Sequence, residues 1–327
     1  MNNNLQESLD LFVRNNRPLK KGFVFHMEMT KRLSALVYAM EGREIEPDAI
    51  SHAYGLIKKS TGMFSTFRGN LAVYIAAMLA LTDDPQGRLD DTLDAYNLLK
   101  SNRFYPSDHL VAASYELASQ GRRDILPRLA DRTREFFMEM KSNIRFHVGQ
   151  DDYIFAAMLA LSDLDVHDGA LRIRNMFTRL KPEFSRFIGR NSVLALAQIM
   201  VLGGDKGTDA CVYNMLHLNR TLRDQGIRLD KAYVLPSLGV LTLLNNANLA
   251  HDINFAQTFL RRQKGFGRFS VGNQEIMLYS TALVANGYAK GINKASVSTS
   301  ITNLIIAQQA AMMAATMTAT TAAAASS

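Results

Sequence analysis

The chain has 327 residues, 47% of them apolar and 20% charged, which supports a sizeable core and excludes disorder as the default state. Its formal charge of +7 and pI near 9.4 admit anionic partners. Basic residues cluster only briefly, at Lys20-Lys21 and Arg261-Arg262-Gln263-Lys264, so nucleic acid is not an expected partner.

The amino end, residues 1–7, lacks the basic and apolar regions of a signal peptide, and a cytoplasmic protein is expected. Beyond it a beat of about forty residues begins. Phe25, Phe67, Phe104, Phe146, Phe187, Leu229 and Phe269 recur at intervals of 42, 37, 42, 41, 42 and 40 residues. From the third beat an arginine precedes each: Arg103, Arg145, Arg186, Arg228 and Arg268. Such a period marks a repeat architecture.

Each beat leads into an apolar, alanine- and leucine-rich segment, followed by an amphipathic one. In chain order the pairs are 33–40 with 49–59, 75–83 with 89–100, 110–117 with 125–140, 155–163 with 171–180, 193–202 with 212–222, and 234–244 with 253–262. A seventh apolar segment, 276–284, follows. The apolar members have high helix propensity and no polar face, so they are expected to be buried on several sides. The amphipathic members carry one stripe, as in Leu89, Leu93, Tyr96 and Leu99, and are expected to cover the first set with one face in water. Turn signals such as Asp83-Asp84-Pro85-Gln86-Gly87 separate the two. The expected fold is all-α: about seven helical hairpins in one domain over 1–294, forming an α/α toroid or a curved superhelix. No segment of this body is long and apolar enough to span a bilayer.

Residues 295–327 contain no charged residue and are rich in alanine and threonine. Residues 300–313 are expected to supply the amphipathic partner of the seventh apolar helix, with 316–327 fraying. Self-association through this segment is the second reading, and a membrane anchor the third.

The stretches Phe67-Arg68-Gly69-Asn70, Asp151 to Ala157 and Gln263 to Gly267, with the tail 305–312, resemble an uncharacterised bacterial family, domain of unknown function 4003. The resemblance spans nearly the whole chain. It implies a cytoplasmic bacterial helical protein with no established activity, and no catalytic residues to carry over.

In a regular array the connectors that lead from an amphipathic helix to the next apolar one share an edge. Arg103, Arg145, Arg186, Arg228 and Arg268 are expected to align there, with Arg68 and Arg190 close by. Asn70, Asn191 and Asn273 have N-cap chemistry at the helix starts on the same edge, where free N–H groups attract anions. The alternative assigns the aromatic residues to gap filling and the arginine heads to solvent. Carboxylates reach the same edge, with Asp151 and Asp152 foremost; the plain alternative is helix-dipole stabilisation. The seven histidines never fall at metal-ligand spacing, and no metal, cofactor or catalytic residue is assigned. Cys211, the one cysteine, reads as a buried inert thiol. The leading function is a non-enzymatic binding scaffold for an anionic ligand or an acidic protein partner. The alternative is a toroid-type enzyme acting on a small anionic or apolar substrate in a central cavity.

Overall fold

A computed structural model describes residues 3–145, 147–184, 188–204, 207–231, 233–291 and Ile305. The described residues form fourteen α-helices and no strand. They are α1 (Asn3–Gly22), α2 (Glu28–Glu41), α3 (Pro47–Ser60), α4 (Ala72–Ala80), α5 (Pro85–Ser101), α6 (Asp108–Gln120), α7 (Leu126–Asn143), α8 (Tyr153–Leu161), α9 (Val166–Leu180), α10 (Arg190–Leu202), α11 (Thr208–Asp224), α12 (Leu235–Leu244), α13 (Leu249–Arg262) and α14 (Asn273–Lys290). The chain divides into two compact units. Of the described residues, one unit holds 14–169 and the other holds 3–13, 170–291 and Ile305.

In the unit of residues 14–169, α4 and α8 are buried along almost their whole length, as their uninterrupted apolar sequences require. The pairs Ala76-Ala77 and Ala156-Ala157 are fully buried. Their small side chains let α2 lie against α4, and α6 against α8. The amphipathic α3, α5 and α7 pack on one another and each covers the apolar helix that follows it: α3 on α4, α5 on α6, α7 on α8. Local signals set the boundaries. Pro85 starts α5 behind Asp84, whose carboxylate accepts the Gly87 N–H at 2.9 Å. Helix α2 ends at Gly42, whose φ of 73° is left-handed and lets its N–H turn back to the last carbonyls.

The unit holding 170–291 contains α10 to α14. Helices α10, α12 and α14 lie side by side, and α11 and α13 cover α12 and α14. Every segment expected to be helical overlaps a helix, some running one to three residues past its end, except the tail helix at 300–313. That segment falls outside the described residues apart from Ile305, which is helical and buried.

Sequence reading missed α1. Its stripe of Leu5, Leu9, Phe12 and Leu19 is buried at helical spacing, and Pro18 is accommodated inside the helix. Phe12 packs on Tyr279 of α14 and on Phe266, with ring centroids at 5.1 and 5.4 Å. Phe12 of the amino-terminal helix therefore lies against the last apolar helix, for which the sequence suggested a partner only in the tail.

At two of its five described positions the beat needs correction. Phe25 and Phe269 are fully exposed, and Phe146 and Phe187 lie outside the described residues. The beat residues Phe67, Phe104 and Leu229 are buried; at the other junctions the buried residues are Phe23, Ile144, Phe184 and Phe266, and Ile227 is buried two residues before Leu229. Each follows the end of an amphipathic helix. At three of them the preceding residue has a left-handed backbone: Arg103 (φ 64°), Gly226 (φ 79°) and Gly265 (φ 90°). That turn swings the next side chain inward, so burial follows the helix end and not the arginine.

Candidate functional site

The connectors in the unit of residues 14–169 bind themselves tightly. The Arg68 guanidinium donates to the Thr61 hydroxyl and to the carbonyls of Lys58 and Thr61, closing the end of α3. Asn70 does not cap α4, whose N-cap position is Leu71; its side chain bonds the Asp108 carboxylate, which also accepts the Leu71 N–H. Burial raises the Asp108 pKa above the usual carboxylate value, against those two hydrogen bonds. A Cβ on Gly69 would lie 3.0 Å from the same carboxylate, so Gly69 and Asn70 serve this junction together. Arg103 and Arg145 are exposed. Asp151 lies 3.4 Å from Nε2 of the buried His109, and Asp152 accepts the Gly149 N–H at 2.8 Å. The Asp151 and Asp152 carboxylates thus have structural partners within this unit.

The unit holding 170–291 places its arginines differently. Arg228, on the connector from α11 to α12, and Arg268, on the connector from α13 to α14, line one open cleft of about 830 Å³. Lys231, Arg261 and Arg262 line it too, and among the described residues no carboxylate does. Among the described residues Arg228, Lys231, Arg262 and Arg268 form no ion pair. Arg261 is the brace of the cleft. Its guanidinium donates to the carbonyls of Phe266 (3.0 Å) and Val271 (2.7 Å) and to Oδ1 of Asn273 (2.6 Å), tying the end of α13 to the start of α14. Burial and then the nearby Arg268 charge lower the Arg261 pKa below the usual guanidinium value, while the Glu275 carboxylate, outside the lining, acts the other way. Asn273 and Gln274 belong to the first turn of α14, whose amino end opens into the cleft. Gln257, Thr258 and Met277 complete the lining.

Two of the other expected positions also fall in this unit. Arg190 lines a second cleft of about 600 Å³ with Lys181, and Asn191 is exposed. Arg186 lies outside the described residues. The N-cap expectation is corrected for two asparagines: the N-cap positions are Gly189 and Gly272, so Asn191 and Asn273 stand inside the first turn. Sequence reading thus found Arg228 and Arg268 but missed Lys231, Arg261 and Arg262. The run Arg261-Arg262-Gln263-Lys264 was visible, and its position at a helix end beside the next helix start was the signal to use.

Among the described residues no group of three or more His, Cys, Asp or Glu side chains is placed to hold a metal ion. No described helix is long and apolar enough to cross a membrane. Cys211 is buried. In comparison with known proteins, a family model described as "Protein of unknown function (DUF4003)" matches residues 15–310. No curated protein matches, and no solved structure matches.

Proposed function

The chain belongs to the DUF4003 family, whose description assigns no activity, and from its geometry we propose that it is a non-enzymatic binding scaffold that takes an anionic ligand or an acidic partner. The observation that carries this reading is the cleft at the start of α14. Five cationic side chains line it without a carboxylate among them. Like charges brought together raise the free energy of the empty site, and an anion relieves that repulsion. The open amino end of α14 adds the positive end of an 18-residue helix.

We read the rest of the molecule as the frame for this site. The same hairpin pattern runs through both units, in keeping with a single α/α repeat domain over 1–294 and with the toroid or curved superhelix expected of such an array. Small-angle scattering distinguishes the two forms. The cytoplasm, as a compartment rich in small anions and acidic proteins, suits the reading.

Binding of inorganic phosphate, citrate and a polyglutamate peptide to the full chain, measured by calorimetry at low and high salt, tests the function. At least one should bind, more weakly as salt rises, and the double variant R228A/R268A should lose roughly tenfold or more in affinity. Equal binding by the double variant and the parent would remove the cleft as the site.

A further inference from the structure

We propose that the cleft at the start of α14 takes a small organic molecule carrying at least two phosphate groups. This rests on the anion-binding reading above and deepens it to a ligand class.

Charge count selects the number of phosphates. Arg228, Lys231, Arg262 and Arg268 are without an ion-pair partner among the described residues, and Arg261 adds a fifth positive charge although its donors are partly spent on the connector. One phosphate carries about −1.5 to −2 charges near neutrality, so a single group leaves at least two of these cations uncompensated. Arginine forks match phosphate oxygens with paired hydrogen bonds, and three freely placed forks outnumber what one phosphate can use.

Size and surface select a small organic molecule. The volume of about 830 Å³ lies within the range of small-molecule sites. An inorganic anion would leave the remaining features without a use. Met277 gives the wall an apolar contact, and Gln257 and Thr258 supply side-chain hydrogen-bonding groups. Two exposed rings adjoin the cationic positions in sequence, beyond the lining of the cleft itself: Phe269 directly after Arg268, and Tyr233 two residues after Lys231. The Tyr233 N–H is tied to Gln274 of the cleft at 3.3 Å, which holds that connector against the helix start. A fully exposed phenylalanine beside an arginine costs solubility and fills no gap in the core. Stacking on a planar organic group gives it a use.

Calorimetry on the full chain with ADP, fructose 1,6-bisphosphate, pyrophosphate, AMP and citrate tests the class. ADP or the bisphosphate should bind at least tenfold more tightly than AMP or citrate, and R228A/R268A should abolish the preference. The double variant R122A/R145A, which removes two exposed arginines outside the cleft, controls for net charge and should bind as the parent does. F269A should weaken ADP about fivefold or more while leaving pyrophosphate unchanged. Pyrophosphate binding as tightly as every organic diphosphate, with F269A silent, would overturn the organic part. Citrate or polyglutamate binding through Arg228 and Arg268 while all diphosphates fail would overturn the phosphate inference and leave the anion site standing. No binding of any anion would remove both.

Discussion

Glu116 shows how much a single buried group can weigh. It lies on α6, is 5% exposed, and receives a hydrogen bond from Gln120. Burial pushes its carboxyl up to about 7. A pKa raised on folding means that the neutral form suits the folded state. The contribution is therefore whole below about pH 4.5 and is lost as pH rises through 7. The amide of Glu116→Gln cannot ionise. Urea unfolding should show the variant more stable than the parent by on the order of 3 kcal/mol at pH 8, with little difference near pH 4.5. The plug residues give a second test at this scale. Phe104 is buried against Tyr153 and Phe137, with centroids at 4.8 and 5.4 Å, whereas Phe269 is fully exposed. Phe104→Ala should cost about 3–5 kcal/mol in chemical denaturation, and Phe269→Ala under about 0.5 kcal/mol. Sequence reading placed both on the same beat. Spacing alone cannot tell them apart, because a left-handed turn at one residue decides which neighbour points inward.

At the scale of elements, arginines do recur, but on the amphipathic helices. Arg88 of α5 donates to the Ala118 carbonyl of α6. Arg132 of α7 donates to Ala160 at 3.1 Å, Ser162 at 3.2 Å and Leu164 beyond the end of α8. Arg172 of α9 reaches the Gly204 carbonyl after α10 at 3.1 Å. The three stand 44 and 40 residues apart, in step with the hairpins. Each satisfies carbonyls that a helix end leaves open, from the helix packed before it in sequence. Arg132→Ala should destabilise by about 2 kcal/mol and speed amide exchange around residues 159–164. Arg132→Lys should recover little, since one ammonium cannot span three carbonyls. Unchanged exchange there would show that solvent replaces the arginine without cost. This period was present in the sequence, yet hidden, because Arg88, Arg132 and Arg172 share no flanking motif. Their common partner appears only when the helices are packed.

At the scale of the molecule, the amino-terminal helix carries a consequence. Phe12 fills the space over Tyr279 and Phe266 in the unit of 170–291. Deleting residues 2–13 should lower the melting temperature by several degrees and expose apolar surface to a dye, while a Phe12→Leu variant should do far less. An unchanged melting temperature on deletion would mean that this contact is dispensable. If 1–294 is one repeat domain, the full chain should unfold in a single calorimetric transition, and two resolved transitions would separate the units. The excess of positive charge acts at this scale as well. The seven net charges favour anions everywhere, but only packing concentrates five cations in one cleft.

Alternation of wholly apolar with striped segments was enough to specify the helices, because burial on all sides and burial on one side demand different patterns of side chains. The family was legible too, from motifs such as Phe67-Arg68-Gly69-Asn70, whose packed role at the α4–α6 junction was not. The tertiary structure alone decided which aromatic residues plug the core, that Phe12 of α1 meets Tyr279 of α14, and that Arg228 and Arg268 share a cleft while Arg68 closes a helix. These depend on backbone turns and on which helix end meets which side chain, and neither is written in the spacing of apolar residues.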